Sequence, residues 1–179
     1  MANTETSHGP LAVVVMGVSG CGKSAIGEAL AELLGAEFIE GDRLHPPENV
    51  ARMTRGIPLT DEDRAGWLDS VGDTIASANA GGRGVVAACS ALKRKYRDRL
   101  RAKVPGLVFV HPVVDKETAR NRISARKGHF MPASLVDSQF AALEPPEPDE
   151  TAISLNGLKP VDALVGESVR RLRRETEIV

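Results

Sequence analysis

The chain has 179 residues, a net charge of −1 and 26% charged residues. That suits one domain with a single core and leaves no overall charge for holding nucleic acid or a membrane surface. Hydrophobic residues make up 42% but aromatic residues only 3%, so the core is aliphatic and an aromatic platform for stacking bases is not expected.

Residues 1–10 are polar and read as a disordered tail, with one domain over residues 11–179. No stretch has the length of a signal peptide or a membrane span. The two cysteines, Cys21 and Cys89, match no metal-ligand spacing and suggest a reducing compartment. A cytoplasmic protein is expected.

Residues 11–16 form an unbroken apolar run, the pattern of a strand buried on both faces. Gly17-Val18-Ser19-Gly20-Cys21-Gly22-Lys23-Ser24 follows and completes the G-x-x-x-x-G-K-[ST] pattern. Gly17, Gly20 and Gly22 let the backbone curl so that the amides of Ser19, Cys21 and their neighbours point at phosphates. Lys23 adds a point charge, and the Ser24 hydroxyl is suited to Mg²⁺. Ala25 carries the loop into a helix with Ile26, Leu30, Leu33 and Leu34 at helical spacing, closed by Gly35. Strand, loop and helix in that order imply a nucleoside triphosphate and Mg²⁺, where the glycines alone would mark only a turn. Cys21 also places a thiol in the loop, where its oxidation would block the nucleotide.

Residues 37–40 form a second strand, followed directly by Gly41-Asp42. Ligands of an open parallel sheet lie beyond the carboxyl ends of its strands. Of Glu40 and Asp42, one can then help to hold Mg²⁺ and the other can accept the proton of an attacking hydroxyl, unless Gly41-Asp42 is a plain turn. His45 and the prolines 46 and 47 open a helix that carries Arg52, which either reaches an acidic substrate or is simply solvated. Thr60 caps a further helix at its acidic start, with Trp67, Leu68, Val71 and Ile75 along it.

Residues 84–89 make a third strand, with Ser90-Ala91 at its end. The helix over 93–103 starts with cations where the helix dipole disfavours them, so Lys93 and Arg97 read either as ligand contacts or as part of a basic face. A fourth strand spans 107–110, and His111-Pro112 beyond it has no evident role. Residues 115–126 form a helix with Arg122 and Arg126 on one face. The break at 127–132 before a resumed helix over 133–143 suggests a mobile lid over 123–143, although basic residues also suit an ordinary helix end. A fifth strand at 152–155 and a helix opened by Pro160 complete the chain. The alternation of strands and helices gives an α/β fold with a parallel sheet.

Several blocks now acquire a common meaning. The phosphate loop, Gly41-Asp42-Arg43-Leu44-His45-Pro46, the 58–68 stretch through Trp67-Leu68, Cys89-Ser90-Ala91-Leu92-Lys93, Arg126-Lys127-Gly128-His129-Phe130-Met131 and Ser138-Gln139-Phe140 resemble the gluconokinase family. The resemblance implies a P-loop NTPase of the nucleoside-monophosphate-kinase-like kind: a three-layer fold with a five-stranded parallel sheet and a lid, usually homodimeric. It implies ATP-dependent phosphorylation of D-gluconate at its 6-hydroxyl, with Mg²⁺. Lys23, Asp42 and Arg126 become the catalytic residues, and Ser24 and Glu40 the metal ligands. His45, Arg52, Lys93, Arg97, His129 and Gln139 join Asp42 as substrate contacts. Arg122 is placed against adenine and Arg126 against phosphates. Glu40 departs from the aspartate expected in close relatives. A kinase for another small hydroxylated acid, such as shikimate, is the alternative, though Cys89-Ser90-Ala91 replaces the glycine triplet it would want. A non-catalytic nucleotide-binding regulator is the other, and no Asn-Lys-x-Asp guanine motif is present.

Overall fold

The computed structural model describes residues 9–127 and 132–177. The first apolar run forms β1 (Ala12–Val15), buried along its whole length. Ala12 and Val14 pack into one core with Trp67, Leu68 and Phe109, while Val13 and Val15 join Ile26, Leu30 and Ile153 in another. A strand covered on both faces needs no polar alternation, and each fully buried valine contributes roughly 1.5–3 kcal/mol.

After the phosphate loop come α1 (Lys23–Leu34) and β2 (Glu37–Glu40). A 3-10 turn at Gly41–Leu44 leads into α2 (Pro47–Thr54) and α3 (Asp61–Ala80). Next are β3 (Val85–Ala88), α4 (Arg94–Lys103), β4 (Val108–Val113) and α5 (Lys116–Ala125). A second 3-10 turn, Ala133–Leu135, precedes α6 (Val136–Ala142), β5 (Ala152–Asn156) and α7 (Val161–Glu177). All five strands are parallel, in the order β2-β3-β1-β4-β5. Helices α3 and α4 cover one face and α1 and α7 the other, which gives the three layers that the sequence implies.

Local chemistry sets the helix starts. Thr60 Oγ1 accepts the Asp63 amide at 3.1 Å and Asp63 Oδ2 accepts the Thr60 amide at 2.9 Å, a reciprocal box that satisfies two otherwise unpaired donors of α3. Asp115 caps α5 by accepting the Thr118 amide at 2.7 Å. Strand β4 runs three residues beyond the expected end, through Pro112. Proline is tolerated there because β1 stops at Val15 and Pro112 pairs only with Leu155 of β5.

The basic start of α4 is neutralised within the fold. Arg94 pairs with Glu147 and, at 2.7 Å, with Asp149. Lys93, at 3.0 Å, and Lys95 meet Asp61 at the start of α3. The cations that the helix dipole disfavours are thus balanced by α3 and by the loop before β5, without a ligand.

Candidate active site

The carboxyl ends of β1, β2 and β3 lie side by side and present the phosphate loop, the 41–44 turn and Ser90-Ala91 to one crevice. Gly20 has φ +85, and a Cβ there would come within 2.6 Å of Ala119 O, so only glycine lets α5 lie against the loop. Gly22 caps α1 without a side-chain hydrogen bond, leaving the helix N-terminus suited to an anion. Lys23 Nζ donates to Val18 O at 3.0 Å, folded back along the loop whose phosphates it would meet. Ser24 Oγ donates to Glu40 Oε2 at 2.5 Å. A hydroxyl and a carboxylate side by side are hard oxygen donors of the kind Mg²⁺ takes. No group of three or more acidic, His or Cys side chains suited to a metal occurs among the described residues.

The Cys21 thiol is buried, with Sγ 3.8 Å from Met16 O. Its oxidation in the folded protein is therefore not supported: the side chain lies beneath the loop, out of solvent.

Asp42 stands on the turn after β2. Trp67 Nε1 fixes that turn by donating to Gly41 O at 2.8 Å, and His45 stacks on the Trp67 ring at 4.0 Å. Burial lowers the His45 pKa to about 4, against the pull of Asp42 and aided by Arg64, so its ring is neutral at pH 7. Asp42, His45, Lys23, Ser19, Ser90 and Gln139 line one cavity, whose other wall is Met53, Leu59, Arg64 and Trp67. Ser19 N donates to Gln139 Oε1 at 2.6 Å, so α6 is tied to the phosphate loop. About 30 Å³ of the cavity is open, room for about one water. Leu135 buries against two of its lining residues, Met53 and Leu59.

The other cations named from the sequence lie elsewhere. Arg97 is not a substrate contact: its side chain is 0% exposed and forks onto Glu150, Nε to Oε1 at 2.7 Å and Nη2 to Oε2 at 3.0 Å. Its Nη1 donates to Ala91 O and Leu92 O at 3.0 and 3.2 Å, and Ala91 has φ +43. Arg97 therefore fixes the strained turn beside Ser90. Burial pushes Glu150 up, but the bonds from Arg97, the Glu147 amide and Arg101 outweigh it and hold the carboxyl at about 2. Arg52 pairs with Asp63 at 3.3 Å and Lys93 with Asp61 at 3.0 Å. Lys93 lines an outer cleft with Thr60, Arg64 and Ser138 rather than the cavity of Asp42.

Arg122 sits on the nucleotide side. Its Nη1 lies 3.3 and 3.4 Å from Gly20 O and Cys21 O, and its Nη2 donates to Gly157 O at 3.0 Å. Arg126 is the exposed C-cap of α5. His129 lies outside the described residues, as does the 128–131 part of the expected lid.

Arg64, Ser90 and the wall role of Trp67 were not singled out by sequence reasoning. Arg64 had a legible signal: with Trp67, Leu68, Val71 and Ile75 it falls on the buried stripe of α3, a charge where an apolar residue is due. His111 is a further surprise. It is buried behind Gly17 with its Nδ1 unpaired among the described residues, and burial, then Arg97 and Lys23, lower its pKa to about 4.

A protein-family model described as an AAA domain matches residues 13–146. A gluconokinase of Gluconobacter oxydans (strain 621H) is 46% identical over 98% of this chain and 99% of its own length. The crystal structure of a gluconokinase from Sinorhizobium meliloti 1021 is 47% identical, with a TM-score of 0.84 over 94% of each chain. Shikimate kinase from Aquifex aeolicus shares the fold alone, with a TM-score of 0.66 over 93% of this chain and 98% of its own, at 14% identity.

Proposed function

The chain belongs to the gluconokinase family and is an ATP-dependent gluconate kinase; we propose that it transfers the γ-phosphoryl group to the 6-hydroxyl of D-gluconate, giving 6-phosphogluconate and ADP. The observation that carries this reading is Asp42 and Lys23 lining one cavity from beyond the carboxyl ends of β2 and β1, which flank β3. One holds a carboxylate for an acceptor hydroxyl, and the other a cation for the phosphoryl group.

In this mechanism Lys23 leaves Val18 O for the phosphate oxygens. Asp42 orients the acceptor hydroxyl and takes its proton. Neutral His45, the Gln139 amide and the Ser90 hydroxyl offer hydrogen bonds to a polyol. Ser24 and Glu40 would hold Mg²⁺, which when bound neutralises charge on the phosphates. Arg122 would lie against adenine, and Arg126 would meet the phosphates when the lid over 123–143 shuts. Most of the rate gain then comes from positioning and charge neutralisation. The same reading takes residues 11–179 as a single domain of a cytoplasmic homodimer. The family resemblance supports the dimer, and the two free cysteines support a reducing compartment.

A kinase for a different hydroxylated acid is not favoured, because the likeness to shikimate kinase extends to the fold only. A coupled ADP assay with ATP, Mg²⁺ and a panel of sugar acids tests the function. Gluconate-dependent ADP release is expected, and 6-phosphogluconate as product fixes the position; no such release would sink the reading.

A further inference from the structure

We propose that Arg64 receives the carboxylate of the acceptor and thereby makes the enzyme selective for an acid over a neutral polyol. This rests on the gluconate reading above. Among the described residues, two cations line the cavity that holds Asp42, namely Lys23 and Arg64. Lys23 belongs to the phosphate loop and is committed to the phosphoryl group, so the charge at the other end of an acidic acceptor falls to Arg64.

Three other cations considered for the acceptor are already paired, Arg52 with Asp63, Lys93 with Asp61 and Arg97 with Glu150, and Arg122 lies on the far side of the phosphate loop, bonded to Gly20 O, Cys21 O and Gly157 O. Arg64 makes no ion pair with any described residue. Its Nη1 donates to Leu59 O at 2.9 Å and to Tyr96 Oη at 3.2 Å, and Tyr96 in turn hydrogen-bonds Asp61. These contacts aim the guanidinium from one edge, while no hydrogen bond to a described residue uses its Nε or Nη2. A fork held on one side and open on the other is the arrangement that takes a carboxylate through two parallel bonds. Met53, Leu59 and Trp67 beside it are apolar and buried, which strengthens a charge pair made there.

The test compares D-gluconate with neutral D-gluconamide in the ADP assay. The wild-type enzyme is expected to favour gluconate at least tenfold in kcat/KM. Arg64→Gln is expected to raise the gluconate KM at least tenfold with kcat changed less than threefold, and to leave gluconamide turnover within about threefold, so that the preference collapses. Arg64→Lys keeps a charge and is expected to retain preference for the acid with weaker binding; loss of that preference overturns the proposal. So does a wild-type preference that survives in Arg64→Gln, or one that Lys93→Gln abolishes instead. A wild-type enzyme that does not use gluconate at all overturns the functional reading, and this proposal with it.

Discussion

The backbone amide of Ser19 donates to Gln139 Oε1 at 2.6 Å, joining the phosphate loop to α6 across 120 positions of sequence. Both residues are buried and line the cavity of Asp42. The nucleotide side and the roof of the acceptor side are therefore one hydrogen-bonded unit, and a change in either is felt by the other.

Gln139→Ala breaks that tie and leaves a buried amide unpaired, a cost of about 1–3 kcal/mol. The expected result is a lower melting temperature together with a fall of about 10- to 100-fold in kcat/KM for gluconate. Calorimetry and steady-state kinetics on the same preparation check both. A variant with wild-type kinetics and reduced stability would confine the bond to a structural role.

Asp42→Asn keeps the shape of the turn, which Trp67 holds through Gly41 O rather than through the carboxylate. Loss of a general base costs on the order of 10²–10⁴-fold in kcat. ATP affinity, measured by titration calorimetry, is expected to stay within about threefold, since the nucleotide contacts proposed above, on the phosphate loop, α1 and Arg122, do not include Asp42. Near-normal kcat would remove Asp42 from proton transfer.

Arg97→Ala leaves Glu150 buried without its partner and frees the carbonyls of Ala91 and Leu92. Breaking one side of a buried ion pair costs about 3–5 kcal/mol. Urea unfolding is expected to show that loss, and the double variant Arg97→Met, Glu150→Leu should recover much of it. A merely catalytic defect at unchanged stability would return Arg97 to the substrate.

The strands, the phosphate loop, the capped start of α3 and the position of Asp42 were legible because each depends on neighbours a few residues away. The fate of the cations was not. Lys93 finds Asp61 and Arg97 finds Glu150 across 32 and 53 positions, and no local pattern announces such partners. Arg97 and Arg64 look alike in sequence as charges on largely buried helix faces, yet one is consumed by Glu150 and the other opens into the cavity. His111 was opaque for a similar reason: its place behind Gly17 follows from how far β4 outruns β1.

His45 and His111 together set the response to acid. Both have a folded pKa of about 4, lowered chiefly by burial, against about 6.5 when unfolded. Above pH 6.5 both are neutral in either state and contribute nothing to the pH dependence. Between pH 6.5 and 4 the unfolded chain binds protons that the folded protein refuses, so stability falls with acid at roughly 1.4 kcal/mol per pH unit for each histidine. The carboxyl of Glu150, held at about 2, loses its stabilising effect only below about pH 4.5, which leaves pH 5–6.5 to the histidines. Urea unfolding across that interval should show a slope close to two protons per unit for the wild type and close to one for His111→Gln. The Nδ1 of His111 has no partner to lose among the described residues, so the variant gives up little at neutral pH, and an unchanged slope would move the acid sensitivity away from the histidine behind the phosphate loop.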